Sequence, residues 1–275
     1  MRLLPRLLLC LSLAALPTLS ARGAGFSGSS SGASEVIHFQ PEKIIKFAKK
    51  VEKAMAAKGA RVAILARMGR PPAEMPEGMH FTHVAFAVYS EITTQDGRKL
   101  PGYAIQNLYQ DDGHPDVSSL VQDFPVDFFG GVAVMEAGIL IPSPVLQQRL
   151  LNVIGSKTYG ALHDPHYSVI ANPYTLGRQN CTEFVLDVVN AAIYETDDIT
   201  RIKAVEKRFF KAQKVNVNPF KLMLGSMFST EVSLSDQVGE PSTATFETIS
   251  AYLTRFDQGS EVFTVLPDVD PVVGK

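Results

Sequence analysis

The residues whose types and spacing could support catalysis centre on Cys181, within the segment 178–189. Asn180 is a good helix N-cap and Glu183 follows three residues later, so this N-x-x-E capping box predicts a helix that begins near Cys181. A thiol in the first turn of a helix faces unpaired backbone N–H groups and the positive end of the helix dipole, and both favour the thiolate. The sequence therefore offers Cys181 as a candidate nucleophile.

The same cysteine has a second interpretation, in which it is structural. Free cysteine is among the most buried residue types, and a lone cysteine on a helix is more often a small core side chain than a nucleophile. The two interpretations of Cys181 differ in the reactivity of its thiol: a structural thiol is inert and a nucleophile is reactive.

A nucleophilic cysteine needs an imidazole that accepts its proton and a polar group that orients that imidazole. Of the six histidines, His83 fits best because it lies in a predicted strand and is flanked by apolar residues. A turn after this strand predicts that the next strand, 103–109, returns opposite His83. Strand alternation lets only one of Asn107 and Gln106 face the imidazole, and Asn107 is slightly favoured.

The sequence predicts no metal and no cofactor. His163, Asp164 and His166 could bind a metal from a loop, but no further ligands cluster nearby and a polar turn is the simpler interpretation. With two cysteines in the chain, a cysteine-based zinc site is excluded. No glycine-rich phosphate loop follows a strand.

Residues 1–24 have the features of a secretory signal peptide. Arg2 and Arg6 precede an apolar stretch that is too short to span a bilayer, and small residues follow it. We therefore expect a periplasmic or secreted protein. Cleavage would remove Cys10 and leave Cys181 as the only cysteine, so no internal disulfide could form in an oxidising compartment.

The rest of the chain predicts one domain between two polar segments. Residues 25–40 form a Gly/Ser-rich linker, 41–266 the folded domain and 267–275 a frayed tail. After signal removal no apolar run is long enough for a transmembrane helix. The formal net charge of −2 and the lack of basic runs give no reason to expect nucleic acid as a partner. The oligomeric state stays open.

Hydrophobic periodicity predicts an α+β order of elements. The segment 117–129 is expected to be irregular, and Pro101–Gly102 is expected to hold a β-bulge. The predicted helices are 41–58, 144–154, 181–194, 197–213, 219–228 and 244–256, and the predicted strands are 61–67, 80–89, 103–109, 132–141 and 262–266.

Two of these segments resemble the motifs of a known group of enzymes. The strand segment 82–86, THVAF, and the helix-opening segment 180–185, NCTEFV, resemble those of the permuted papain-like cysteine hydrolases. That group includes relatives of the NlpC-type cell-wall peptidases and the lecithin retinol acyltransferase-like enzymes. The histidine strand precedes the cysteine helix here, which is the permuted order. Over 44–256 the chain is similar to a family of exported bacterial proteins of unassigned function.

The resemblance implies an α+β, circularly permuted papain-like fold, in which the cysteine helix packs on an antiparallel sheet and a helical extension follows. It implies Cys181 as the nucleophile and His83 as the general base. Asn107 or Gln106 would orient the imidazole. The backbone N–H of Cys181 and the side chain of Gln179 would form the oxyanion hole.

These features together predict an exported cysteine hydrolase or acyltransferase that acts on amide or ester bonds through an acyl-enzyme. A cell-wall peptide is the first expected substrate and an acylated lipid or lipoprotein is the second. The alternative is a non-catalytic periplasmic binding module on the same scaffold, with a buried structural Cys181.

Overall fold

A computed structural model describes residues 38–94, 96–216 and 233–268 of the 275-residue chain. Three predicted features lie wholly outside these ranges: the signal peptide 1–24, the helix 219–228 and the last residues of the tail, 269–275. Most of the predicted linker, up to residue 37, also lies outside the described residues.

The described residues contain helices on both sides of a sheet, in the following chain order. The helices are α1 (Pro41–Ala57), α2 (Pro125–Phe128), α3 (Pro144–Ile154), α4 (Lys157–Ala161), α5 (Cys181–Tyr194), α6 (Ile199–Phe209) and α7 (Phe246–Phe256), with a 3-10 turn at Pro72–Glu74. The strands are β1 (Val62–Met68), β2 (His83–Thr93), β3 (Lys99–Asp111), β4 (His114–Asp123), β5 (Val134–Ile141), β6 (Gln213–Lys214), β7 (Ser242–Thr243) and β8 (Glu261–Val265).

The central sheet has six strands in the order β4-β3-β2-β1-β5-β8, and every neighbouring pair is antiparallel. Strands β6 and β7 form a separate two-stranded ribbon. The α+β class and the antiparallel sheet predicted from the sequence are confirmed. Within the described ranges, no helix is long and apolar enough to cross a membrane.

Both faces of the sheet are covered, which explains why β1 is buried along its whole length. One face packs on α3, α5 and α7, and its core includes Ile64, Val84 and Phe86. The other face packs on α1 and α2, and its core includes Leu65, Ala85 and Phe128. Because successive strand residues point to opposite faces, each strand contributes alternate side chains to the two cores.

Two expectations about the sheet are wrong. The segment 117–129 is not irregular, because most of it forms β4 and α2. Apolar and polar residues alternate only weakly along β4, and polar residues lie on both of its faces. Hydrophobic periodicity therefore does not identify it as a strand. Pro101 and Gly102 hold no bulge but pair in regular register with β2. The ladder of β4 begins only at Ile105, so β3 is an edge strand at Pro101, where proline is tolerated.

The predicted start of the cysteine helix is confirmed. The Asn180 side chain accepts a hydrogen bond from the Glu183 N–H at 2.9 Å and donates one to the Val169 carbonyl at 3.0 Å. The reciprocal half of the predicted capping box is absent from the described contacts, because the Glu183 carboxylate accepts a hydrogen bond from Lys203 Nζ at 2.7 Å instead. Helix α5 is therefore fixed by its cap and by an ion pair to α6.

Lys203 is the centre of a buried ionic cluster between α5 and α6. Its Nζ lies 2.7 Å from Glu183, 2.6 Å from Asp187 and 3.3 Å from Glu206. Burial acts to lower the pKa of the lysine, but the attraction of the three carboxylates outweighs burial and raises that pKa. Burial raises the pKa of Glu183 and of Glu206 well above the usual carboxyl value.

Replacing Lys203 by alanine is expected to lower the free energy of unfolding by about 3–5 kcal/mol, because the change leaves buried carboxylates without their cation. The exposed Lys207 on the same helix provides the matched control, and Lys207→Ala is expected to stay within about 0.5 kcal/mol of the parent. Urea unfolding followed by circular dichroism measures both. Equal effects of the two substitutions would contradict this role for Lys203.

Candidate active site

His83 begins β2 at one end of the sheet, directly opposite Arg67 of β1. Alternation along β2 directs its side chain to the face covered by α1 and α2, where its ring centroid lies 5.7 Å from that of Phe128. The imidazole Nε2 lies 3.0 Å from Asn107 Oδ1. The structure thus brings His83 together with one of the two polar residues that the sequence offered.

The orientation of Asn107 determines which nitrogen of His83 carries the proton. Asn107 Nδ2 donates a hydrogen bond to Asp123 Oδ1 at 2.8 Å, so Oδ1 is the atom that faces the imidazole. An amide oxygen can only accept, and we therefore assign the proton of neutral His83 to Nε2. Nδ1 is then a free acceptor, and it makes no hydrogen bond within the described part of the chain.

Gln106, the other candidate for orienting the imidazole, has a different neighbour. It points to the opposite face of β3 from Asn107 and donates a hydrogen bond to Gln122 Oε1 at 3.0 Å. Its role as the orienting residue is therefore corrected: it forms a cross-strand amide pair on β3 and β4.

Asp123 and Tyr109 complete this polar chain, and sequence reasoning did not single out either. Tyr109 lies two residues after Asn107 on the same face of β3, and its ring stacks on His83 with centroids 4.9 Å apart and planes 12° apart. The Tyr109 hydroxyl donates to Asp123 Oδ2 at 2.9 Å. The position of Asp123 could be found only by recognising β4 and its register with β3.

Arg67 is a buried cation at the centre of these groups. Its Nη1 donates to the Phe128 carbonyl at 2.6 Å, and its guanidinium lies 5.2 Å from the Phe128 ring centroid and 5.8 Å from that of Tyr109. Burial and the positive charge of Arg67 lower the pKa of His83 to about 3, although the hydrogen bond to Asn107 acts in the opposite direction. His83 is therefore neutral near pH 7.

Cys181 is the first residue of α5 and is only 7% exposed. It packs in the core on the α5 face of the sheet, together with Val84. Burial raises the pKa of its thiol, while the backbone N–H groups of Val84 and Thr182 and the charge of Arg67 act to lower it. The backbone N–H groups at the helix N-terminus lower the thiol pKa, as the sequence predicts, but burial has the larger effect and the net shift is upward.

The thiol and the imidazole reach the same end of β2 from opposite faces of the sheet. Cys181 faces the backbone N–H of Val84, the residue after His83. Among the described residues no hydrogen bond joins the thiol to the imidazole. The ladder between β2 and β3 starts only at Phe86 and Gln106, so the two strands are not paired at His83 and Val84. A neutral thiol and a neutral imidazole therefore lie on opposite faces of the sheet, at the end of β2 that is not paired with β3.

Gln179 is fully occupied by contacts that hold the loop before α5. Its Nε2 donates to the Leu162 carbonyl at 3.0 Å and to Asp187 Oδ2 at 2.8 Å. Its Oε1 accepts from the Asp164 N–H at 2.9 Å. Both amide hydrogens are committed, so the predicted place of Gln179 in an oxyanion hole does not fit this geometry.

His163 and His166, which the sequence places most simply in a polar turn, make separate contacts. His163 Nε2 lies 3.0 Å from Ser118 Oγ, and His166 Nδ1 lies 2.7 Å from Asp164 Oδ1. In the ranges described, no group of three or more His, Cys, Asp and Glu side chains is arranged to hold a metal ion.

Comparison with known proteins adds one finding. Residues 54–253 match a family described as an uncharacterized protein conserved in bacteria, DUF2145. The chain belongs to this family. No curated protein and no solved structure matches the chain. The DUF2145 region contains the whole cluster described above, which comprises Arg67, His83, Asn107, Tyr109, Asp123 and Cys181.

His83 is expected to stay neutral in the folded protein from pH 8 to pH 5, since its pKa is about 3. Below its usual value of 6.5, the unfolded chain binds a proton that the folded chain does not, so stability falls as the pH decreases from 6.5 towards 3. Nitrogen-15 NMR of labelled histidine measures the protonation directly. Arg67→Met should raise the pKa of His83, and titration of His83 near pH 6.5 in the parent would contradict this account.

Proposed function

We propose that this DUF2145 protein is a cysteine hydrolase or acyltransferase, in which Cys181 attacks the carbonyl of an amide or ester and His83 acts as general base. The observation that carries the proposal is the state of His83. Asn107 occupies Nε2, and Nδ1 is left as an acceptor at the end of β2 where the thiol lies. A neutral imidazole with one ring nitrogen left as an acceptor can take a proton from a thiol, and its pKa must rise from about 3 in the reacting complex for it to act as an efficient base.

The proposed reaction has two half-reactions. The thiol proton of Cys181 moves to His83 Nδ1, and the sulfur forms a bond to the carbonyl carbon. The leaving amine or alcohol departs with the proton from His83, and the acyl group stays on sulfur. Water or an acceptor alcohol then gives its proton to His83 and attacks the thioester, which releases the acid or the transferred ester and restores the thiol.

The electrostatics suit a thiolate that forms only during the reaction. The N–H groups of Val84, Thr182 and Cys181 and the charge of Arg67 all favour negative charge on the sulfur. Burial opposes it in the free protein. The reaction therefore requires the thiol and imidazole to approach when substrate binds, and catalytic hydrogen bonds are often long before substrate is present.

We also propose a circularly permuted, papain-like arrangement of the fold. Three observations support it. The histidine strand β2 precedes the cysteine helix α5, α5 packs on an antiparallel sheet, and the imidazole is hydrogen-bonded to an asparagine on the next strand.

The proposed location is the periplasm or the exterior, on the basis of the signal-like segment 1–24. At that location an amide of the cell-wall peptide is the first substrate to test, and an acylated lipid or lipoprotein is the second. Both present the carbonyl that a thiol nucleophile needs.

A second candidate function is a non-catalytic binding module, and the burial of Cys181 favours it. The thiol is 7% exposed and its pKa is raised. Under this alternative Cys181 is core filler, and its replacement by serine or alanine would leave ligand binding unchanged.

The first test uses p-nitrophenyl acetate as an acyl donor. The parent is expected to release p-nitrophenolate in a burst and to carry an acetyl group on Cys181, identified by mass spectrometry of its peptides. Cys181→Ala should abolish the burst, and His83→Ala should slow it by roughly 10²–10⁴-fold because the general base is lost.

Gln106→Ala provides the matched control, since Gln106 adjoins Asn107 in sequence but faces the other side of β3. Its burst is expected to equal that of the parent. A parent that forms no acyl-cysteine with the ester, in a sample shown to be folded by circular dichroism, would favour the binding module. A burst that survives in Cys181→Ala would place the nucleophile elsewhere.

A further inference from the structure

We propose that Asp123 is a positioning residue, which holds His83 by two routes at once: the edge of the imidazole through Asn107 and its face through Tyr109. The catalytic meaning of this role rests on the proposed function, but the positioning itself is a property of the folded protein. No other carboxylate among the described residues is hydrogen-bonded to both of these side chains.

The first route sets the direction of the Asn107 amide. Asp123 Oδ1 accepts from Asn107 Nδ2 at 2.8 Å, and Asn107 Oδ1 then faces His83 Nε2 at 3.0 Å. A carboxylate can only accept hydrogen bonds, so it excludes the flipped amide, in which the oxygen would face Asp123. The flipped amide would present N–H to His83 and would favour the tautomer with its proton on Nδ1, which cannot act as a base towards the thiol.

The second route fixes the ring that covers the imidazole. Asp123 Oδ2 accepts from the Tyr109 hydroxyl at 2.9 Å, and the Tyr109 ring lies nearly parallel to His83 at 4.9 Å. Asn107 and Tyr109 are two residues apart on one face of β3, and Asp123 is the last residue of β4 and pairs with Ile105. The antiparallel register thus brings a single carboxylate within reach of both side chains.

The charges around Asp123 make this support sensitive to pH. Burial raises the pKa of Asp123 to about 7, and Asp127 on α2 acts in the same direction, while Tyr109, Arg67 and Asn107 act to lower it. A protonated carboxyl has one O–H donor, so the Tyr109 hydroxyl must turn to accept from it, and the remaining oxygen is a weaker acceptor for the Asn107 amide than a carboxylate oxygen. The order of His83 is therefore expected to decline as the pH falls through about 7.

The test is nitrogen-15 NMR of labelled histidine in the mature protein at pH 8. The parent should show His83 with its proton on Nε2. Asp123→Leu removes both acceptor oxygens, and His83 should then become a mixture of the two tautomers. Asp123→Asn removes the charge but keeps one acceptor oxygen, so it should restore the parent tautomer. Asp127→Asn is the control for loss of a nearby charge and should leave His83 unchanged.

An unchanged His83 tautomer in folded Asp123→Leu would overturn the proposal. If Asp123→Leu does not fold, Tyr109→Phe decides the second route: its His83 signals should shift and broaden, and an unaltered spectrum would overturn the role of Asp123 there. None of these readouts needs turnover. If Cys181 is inert but the His83 tautomer depends on Asp123, the proposed enzymatic function is wrong and this inference still holds.

Discussion

The hydrogen bond between His83 Nε2 and Asn107 Oδ1 is the interaction on which the candidate site depends. It exists because β2 and β3 are antiparallel neighbours in a register that directs both side chains to one face. A shift of one residue would exchange Asn107 for Gln106 and would remove the imidazole's partner. The register of the sheet, rather than any single loop, therefore determines the chemistry available at this end of β2.

Charge burial is the second feature that shapes the molecule. The Arg67 side chain lies beside His83 on the face of the sheet that α1 and α2 cover. Lys203 lies between α5 and α6 beside three carboxylates. Each buried cation is costly unless its partners are present. Burial and the cation at Arg67 together lower the pKa of His83 and keep its imidazole neutral, while Lys203 pairs with Glu183 on the helix that carries Cys181.

The sequence predicts much of the helical framework. It also predicts the helix start at Cys181 and the strand that carries His83. The N-cap at Asn180 and the apolar strand around His83 are local patterns, and the structure places both where periodicity predicts them. Asp123 and Tyr109 could not be predicted, because their roles follow from the pairing of β3 with β4 and β4 carries little hydrophobic alternation. The raised thiol pKa depends on burial by distant segments, which no local pattern records.

The central claim is that His83 controls the reactivity of Cys181. The rate of alkylation of folded protein by iodoacetamide, measured from pH 5 to pH 10 for the parent and for His83→Ala, tests it most directly. The account predicts a slow but measurable reaction of the parent thiol, because the thiolate forms when the thiol and the imidazole approach each other. The rate and the pH profile should change in the variant, which lacks the imidazole that accepts the proton. Identical profiles of the parent and the variant would contradict the claim. A thiol that reacts only on unfolding would also contradict it and would identify Cys181 as structural.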